Sequence, residues 1–436
     1  MKMRYTAILL ATAFACGTTM AKESAEETPS AVATVSAEEI QKESQFKWGG
    51  DFRFRTVYMN HIPNETGADS GERSFQRYRT RVWGEYHQSD NLFVKGRLLN
   101  EFRTVQKPDG NNPWSAMDET IIDTLFVDYQ QDLFGVRIGR QDMIYGTGKV
   151  ILDGTPLDGS RTIYFDAAKA TYKGIEDTTV DVFGMYTRAK NQLALHSQDR
   201  NLVGLDPAYD GAEAGGGVYV KNNAAEQLPW ETYWVTKTKE QHLTDHFHTV
   251  GGRLMPKFGD HLSGNLEVAY QSNKDNSAYM VDALLDWQMA ERIKLGLGYY
   301  HLSADWNPMF ARWPQYSELY VYSFTPTTAG GDGIGYWSNA SMPHVDLSIS
   351  PIEKLKCDLL LGYMFAPGKS GPGDGRERGW LFTWWNKYTL MENLLSDKDK
   401  LFGHVLIELF EPGDFYTEAQ QENLASFVRF ELSYSF

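Results

Sequence analysis

The chain ends with the residues Phe427-Val428-Arg429-Phe430-Glu431-Leu432-Ser433-Tyr434-Ser435-Phe436. In an extended strand, one face carries the apolar residues Val428, Phe430, Leu432, Tyr434 and Phe436. The other face carries Phe427, Arg429, Glu431, Ser433 and Ser435. A strict period of two indicates a β-strand whose two faces meet different surroundings. We expect the apolar face to meet lipid and the charged face to meet water.

The same period recurs along the chain from Phe46 onward. For example, Tyr78, Thr80 and Val82 alternate with arginines at 77, 79 and 81. A soluble β-sandwich would also alternate, with its apolar face inward. Three features favour a membrane barrel instead. The strands run to about ten residues or more, the length that a tilted strand needs to cross a bilayer. The terminal Phe436 resembles the C-terminal signature of outer-membrane barrels, which their assembly machinery reads. Aromatic residues crowd the strand ends, as an interfacial girdle requires, at Trp48, Tyr58, Trp83, Tyr129, Tyr145, Trp287, Tyr299 and Trp380.

Tight turns alternate with long connections, which is the pattern of transmembrane barrels. Counting on this basis predicts strands that start near residues 46, 74, 91, 120, 133, 162, 178, 247, 261, 278, 293, 341, 354, 378, 401 and 424. We expect two further strands to lie within the long connections, with Glu231–Thr238 and Glu318–Phe324 as candidates. The predicted fold is therefore an all-β transmembrane antiparallel barrel of sixteen to eighteen strands with long extracellular loops. An even strand number places both termini in the periplasm, and a barrel this wide encloses an aqueous lumen.

The first 21 residues have the pattern of a secretory signal peptide. Lys2 and Arg4 precede a short apolar stretch, Tyr5–Cys16, and Thr19-Met20-Ala21 supplies small residues for cleavage. Residues 22–45 form an acidic segment without aromatic residues, which we expect to be a periplasmic tail. The barrel then occupies residues 46–436. These features together predict the outer membrane of a Gram-negative-type bacterium as the location.

Composition excludes two other classes of protein. The chain has 436 residues and a formal charge of −15, which argues against nucleic acid as a partner because phosphate binding needs a basic surface. After the signal peptide, the sequence lacks the run of about 18 apolar residues that a helical membrane span needs.

Charge on the lipid face of a barrel costs about 2–4 kcal/mol near the midplane, so the charged phase of each strand must point into the lumen. On this phase, bases outnumber acids before residue 200, and acids outnumber bases after it. Neighbouring strands share one side of a barrel, so we expect a basic half-wall and a field that favours anionic solutes. The predicted lumen arginines are Arg53, Arg55, Arg77, Arg79, Arg81, Arg97 and Arg137.

Three stretches resemble the alginate-export family of outer-membrane barrels. They are Val136–Gln141 followed by Tyr145-Gly146 and Gly159–Thr162, then Ala311–Tyr320, and finally Glu411–Tyr416. The resemblance implies an eighteen-stranded channel that passes an anionic uronate polymer through an arginine-lined constriction. It adds Arg140 and Arg161 as pore residues. Simple alternation from Arg137 would point Arg140 at lipid, so a bulge near Gly139 or a position beyond the bilayer is required. The chain departs from the family in charge density, since Asp282, Asp286 and Asp358 dilute the basic wall.

The sequence therefore favours a passive, porin-like channel for anionic oligo- or polysaccharides, narrowed by an infolded loop. Our candidate for that loop is Ala189–His246, with its glycine run Gly215–Gly217. The expected partners are the anionic saccharide, outer-membrane lipid and the barrel-assembly machinery through Phe436. The pattern assigns no catalytic residue, cofactor or metal. The alternative is an outer-membrane enzyme or receptor that uses the barrel as a scaffold.

Overall fold

In the computed structural model, the described residues are 46–65, 67, 69, 71–108, 116–152, 164–188, 191–197, 212–239, 242–311, 316–319 and 338–436. Regular structure in these ranges is almost entirely β-strand, with one short helix at Glu418–Gln421. None of the helices found there is long and apolar enough to cross a membrane. The strands are β1 (Phe46–Asn60), β2 (Arg73–Ser89), β3 (Leu92–Lys107), β4 (Ala116–Gln130), β5 (Phe134–Gln141), β6 (Ile144–Tyr145), β7 (Ile151–Leu152), β8 (Phe165–Ile175), β9 (Thr178–Thr187), β10 (Ala194–Ser197), β11 (Glu213–Asn222), β12 (Trp230–Lys239), β13 (His242–Leu254), β14 (Lys257–Phe258), β15 (Leu262–Ser272), β16 (Ser277–Ala290), β17 (Ile293–Leu302), β18 (Phe310–Ala311), β19 (Ala340–Ile352), β20 (Leu355–Phe365), β21 (Glu377–Glu392), β22 (Lys400–Pro412) and β23 (Ala425–Ser435).

Eighteen of these strands form a closed antiparallel barrel. The main sheet has twenty strands, of which β10 and β14 are short segments that pair with β4 and β15. The other eighteen pair in chain order, and β23 returns to β1 with Glu431 opposite Arg55. Closure leaves the sheet without an unpaired edge, as a structure that spans lipid requires. The predicted all-β barrel is confirmed, at eighteen strands.

The two chain ends of the barrel meet at one rim. The backbone of Gly50 pairs with that of Phe436, and the short turns 90–91, 176–177 and 291–292 lie at the same rim. We call this rim the turn end. The connections 61–72 and 303–339 leave from the opposite rim, which we call the loop end.

The two strands beyond the predicted sixteen both come from the connection 189–246. Glu231–Thr238 lies within β12, as expected. The second strand is β11, which contains Gly215–Gly217, so the assignment of this glycine run to a constricting loop is wrong. Three successive glycines show no alternation, and this hides the strand in the sequence. The other candidate, Glu318–Phe324, supplies no strand of the barrel wall, because β17 pairs directly with β19. Only its first two residues are within the described ranges.

The barrel is apolar outside and polar inside, which reverses the arrangement of a soluble protein. In β23, Val428 and Phe430 are each 38% exposed, whereas Arg429 is fully buried and Glu431 is 5% exposed. Val82, Ile138 and Leu297 in other strands are 46–57% exposed. Alternation in these strands therefore assigns charged side chains to the lumen, as the sequence predicts.

Two of the aromatic residues expected in a girdle face the lumen instead. Tyr145 is 6% exposed and lies in a segment that folds inward. Trp83 is opposite Arg97 in the β2–β3 ladder, and the Lys95 ammonium lies 4.6 Å from its ring centre. Trp48, Trp287 and Trp380 are 49–63% exposed on the outer face.

Two connections from the loop end fold into the barrel and fill part of it. The first, residues 142–152, carries β6 and β7, and the second, described at residues 303–311 and 316–319, carries β18. β6 and β7 are antiparallel, and β18 pairs in parallel with β7, with Phe310 opposite Ile151. Ile151, Trp306 and Phe310 are at most 1% exposed, so the inner sheet packs as an apolar core within the lumen. These two segments narrow the barrel, whereas β11, β12 and the start of β13 within the predicted loop 189–246 belong to the barrel wall. Residues 189–190, 198–211 and 240–241 of that prediction lie outside the described residues.

Candidate functional site

Six of the arginines on the lumen face of β1, β2 and β3 form one group. Arg53 is directly opposite Arg79, and Arg55 is directly opposite Arg77. Arg77 is in turn opposite Arg103 across the β2–β3 ladder. Residues in this relation have Cβ atoms about 4.5–5.5 Å apart. We call the set of Arg53, Arg55, Arg77, Arg79, Arg81 and Arg103 the arginine ladder.

Three carboxylates lie among these guanidinium groups. Asp51 contacts Arg81 at 2.6 Å and Arg79 at 3.3 Å. Glu431 contacts Arg55 at 2.6 Å and Arg53 at 3.9 Å. Glu101 lies 3.6 Å from Arg77 Nε and 3.9 Å from Arg53 Nη2. Each carboxylate therefore contacts two arginines, and these contacts hold the guanidinium groups in a fixed array.

The arginine ladder is costly for the fold. Cross-strand pairs contribute about 0.2–1 kcal/mol each, and like charges directly opposite one another are destabilising. The side chains of Arg53, Arg55, Arg77 and Arg79 are at most 9% exposed, so solvent screens their repulsion poorly. Local rules of this kind are broken at functional sites more often than elsewhere. The arrangement concentrates positive charge on one side of the lumen.

Arg97 and Arg137 extend the basic wall along β3 and β5. Arg97 contacts Asp123 at 2.8 Å and Asp142 at 3.0 Å. Arg137 pairs with Asp128, and its guanidinium carbon lies 4.3 Å from the ring centre of Phe126. Its side chain is 29% exposed, the largest fraction among the predicted lumen arginines that the structure describes. Both residues thus lie on the predicted face, each with a carboxylate partner.

Arg140 is buried, but it is not part of the arginine ladder. It lies opposite Leu125 and Asp166, on the same strand phase as the outward-facing Ile138. Its guanidinium contacts Asp166 at 2.9 Å and Asn191 Oδ1 at 2.9 Å, and Tyr164 covers it at 3.6 Å. The preceding Gly139 has φ +130°, where a Cβ would approach the Leu125 carbonyl oxygen to 2.3 Å. Arg140 is therefore shielded from lipid by pairing and cover. Arg161 lies outside the described residues.

The first infolded segment is anchored to the wall opposite the arginine ladder. The Tyr145 hydroxyl donates to Asp181 at 2.9 Å, and the Thr147 hydroxyl donates to Glu267 at 2.8 Å. Lys149 lies 3.8 Å from Asp282 and 4.0 Å from the ring centre of Tyr316. Burial lowers the pKa of Lys149, although Asp282 and Glu267 act in the opposite direction. The stretch Gly146-Thr147-Gly148-Lys149, which superficially resembles a phosphate loop, serves here to fix the segment.

The second infolded segment is attached at both of its described ends. The Lys237 ammonium donates to the Met309 carbonyl at 2.6 Å and pairs with Glu213 at 3.0 Å. Near its other end, Glu408 accepts hydrogen bonds from the Ser317 hydroxyl and from the backbone amides of Glu318 and Leu319. One base and one acid of the wall, Lys237 and Glu408, thus hold the segment in place.

A cavity of about 830 Å³ lies between the infolded segments and the turn end. Thr147 and Ser317 line one side, and residues of β20, β21 and β22 line the other. The charged residues of its lining are four lysines, Lys354, Lys356, Lys387 and Lys400, and four glutamates, Glu318, Glu353, Glu408 and Glu431. Lys387 and Lys400 are absent from the sequence prediction, although Lys387 shares the inward phase of Thr383 and Trp385 and alternation could have found it. The half-wall formed by residues after 200 thus contains lysines beside its acids near the turn end.

The described part of the chain contains no group of three or more His, Cys, Asp or Glu side chains that could hold a metal ion. His246 and His248 are 6.5 Å apart between ring centres, and Thr238 and Trp234 contact them.

Comparison with known proteins relates the chain to solved structures through its fold. No family model matches the sequence, and no curated protein matches it. OpdQ of Pseudomonas aeruginosa superposes with a TM-score of 0.61 at 12% identity, over 90% of this chain and 97% of that chain. OccAB4 of Acinetobacter baumannii has a TM-score of 0.58 at 10% identity, over 91% and 99%. The outer membrane protein OpdK of P. aeruginosa has a TM-score of 0.58 at 10% identity, over 89% and 98%. This likeness supports a porin-like barrel fold and does not support the alginate-export family in particular.

Proposed function

We propose that the chain is a passive outer-membrane channel for anionic saccharides. A closed barrel with an apolar outer face fits a bilayer, and its charged inner face keeps water in the lumen. Both termini then face the periplasm at the turn end, and Phe436 serves as the recognition signal for barrel assembly. The likeness to an outer membrane protein of P. aeruginosa supports this location. The channel class rests on the same features, since the barrel is wide and only partly filled.

The arginine ladder is the observation that carries the selectivity. Arg53 opposite Arg79 and Arg55 opposite Arg77 place like charges side by side on one lumen face. A passing carboxylate relieves the repulsion between the guanidinium groups. The guanidinium groups are largely buried beside Asp51, Glu101 and Glu431, so they attract a passing carboxylate through their combined positive field. A uronate chain, with one carboxylate on each sugar ring, suits such an array, and this is the substrate class that the alginate-export resemblance implies.

Swelling of liposomes that contain the purified protein tests this function. We expect liposomes to swell faster with a uronic trisaccharide than with a neutral trisaccharide of the same length, because the basic wall raises the local concentration of anions. Empty liposomes supply the background rate. Equal swelling with the two sugars would contradict the anionic preference, and no swelling with either would contradict the channel itself.

A further inference from the structure

The cavity at the turn end has a built arrangement of charges of its own, and it adjoins the arginine ladder at Glu431, which also lines the cavity. We call Lys356, Lys387 and Lys400, together with the space of about 830 Å³ that they line, the lysine vestibule. Lys356 and Lys387 are directly opposite each other across the β20–β21 ladder. Like charges in this position are destabilising, as in the arginine ladder.

One carboxylate lies between the two opposed lysines. Asp358 contacts the Lys356 ammonium at 2.9 Å and the Lys387 ammonium at 3.3 Å, and it also accepts from the Ser348 hydroxyl at 2.8 Å. Trp385 positions Lys387 further, since the ammonium lies 3.7 Å from the ring centre. Two ammonium groups thus share one acid and are held before any solute arrives.

The lysines of this pair remain accessible, unlike the arginines. The side chains of Lys356 and Lys387 are 53% and 42% exposed, and the cavity volume lies within the range of small-molecule sites. A second carboxylate, supplied by a solute, would complete the neutralisation that Asp358 begins. An exposed pair binds weakly enough to release a solute, which conduction requires.

We propose that the lysine vestibule is a binding site for the carboxylate of an anionic sugar, which it holds at the turn end of the lumen. This inference rests on the proposed channel function and deepens it. Lys356 and Lys387 contact the carboxylate, and Trp385 and Asp358 position them.

Block of single-channel current by sugars in planar bilayers tests this site. In the wild-type channel, a uronic trisaccharide should produce brief blocks, and a neutral trisaccharide of the same length should not. In the double variant Lys356→Gln with Lys387→Gln, the dwell time of the uronic block should fall by about tenfold or more, since charge-assisted contacts are lost. Asp358→Asn retains both lysines and removes the competing carboxylate, so its blocks should last longer.

Lys294→Gln provides the matched control. Lys294 is a half-exposed lumen lysine near the turn end that pairs with Asp286 at 3.0 Å and does not line the cavity. Its removal should leave the dwell time unchanged. Wild-type dwell times in the double variant, an equal loss in Lys294→Gln, or equal block by the neutral sugar would each overturn the site. An anion-selective channel without any uronic block would overturn the site alone, whereas a cation-selective channel would overturn the proposed function. Circular dichroism checks the barrel fold of each variant.

Discussion

At the scale of single residues, each basic group of the lumen is placed by strand alternation and tuned by its neighbours. The guanidinium groups of Arg53, Arg55 and Arg77 are buried beside carboxylates from other strands, whereas Lys356 and Lys387 reach water. The lumen therefore presents two kinds of positive charge. The arginines form a rigid array that sets the electrostatic field of the lumen. The two lysines form an accessible pair that contacts the solute.

Replacing two members of the arginine ladder tests the source of the field. In the double variant Arg77→Ala with Arg79→Ala, we expect the anion-to-cation permeability ratio to fall by about two- to fivefold, because two fixed charges leave the lumen wall. The reversal potential in a salt gradient measures this ratio. The charge-retaining pair Arg77→Lys with Arg79→Lys should keep most of the preference. An unchanged ratio in the alanine variant would show that the arginine ladder does not set selectivity.

Because Lys149 is buried, we expect the docking of the first infolded segment to depend on pH. Burial lowers its pKa below the usual 10.5 when the segment is docked, so the docked state binds fewer protons than a released state. Raising the pH through the interval between the lowered pKa and 10.5 should therefore favour docking. Current fluctuations due to the segment should become rarer as the pH rises toward 10.5. Lys149→Met, which lacks the titrating group, should remove this trend, and a trend that persists in it would refute the role of Lys149.

At the scale of elements, the sequence predicts the strands far better than the segments inside the barrel. Strand alternation predicts the starts of sixteen barrel strands to within about five residues, because the two faces of a strand meet lipid and water. It misses β11, since Gly215–Gly217 have no side chains to alternate. Packing explains why position 215 is a glycine, because a Cβ there would lie 2.4 Å from the Phe310 ring. Strand alternation likewise predicts the residues of the candidate site, but only those that lie on strands.

The infolded segments could not be predicted, because their anchors join distant parts of the chain. Thr147 binds Glu267 across 120 residues, and Ser317 binds Glu408 across 91. Neither contact leaves a local pattern. From the sequence, Glu267 and Glu408 can be interpreted only as lumen charges, whereas the structure shows that they hold the segments inside the barrel.

The anchor of the second segment can be tested by a pair of substitutions. Lys237→Met leaves the Glu213 carboxylate buried without its ammonium, and breaking a buried ion pair in this way costs about 3–5 kcal/mol. We expect a lower free energy of unfolding in lipid vesicles and more current noise, since Lys237 also holds Met309. Adding Glu213→Gln should restore much of the free energy of unfolding, but the current noise should remain high. Full recovery of both would mean that the contact with Met309 does not restrain the segment.

At the scale of the whole molecule, the negative net charge of the chain and the positive charge of the lumen wall belong to different regions. The formal charge is −15, yet the described wall places its arginine ladder and lysine vestibule inside the barrel. A solute entering the lumen meets the local field of the wall, and surface charges farther away than a Debye length of about 8 Å are largely screened at physiological salt. The selectivity of the channel should therefore follow its lumen and not its overall charge.

The reversal potential of the wild-type channel in a planar bilayer with a potassium chloride gradient measures this selectivity most directly. The basic lumen predicts a potential with the sign of chloride preference, which shrinks as the salt concentration is raised on both sides and screening increases. A potential with the sign of potassium preference at low salt would contradict it.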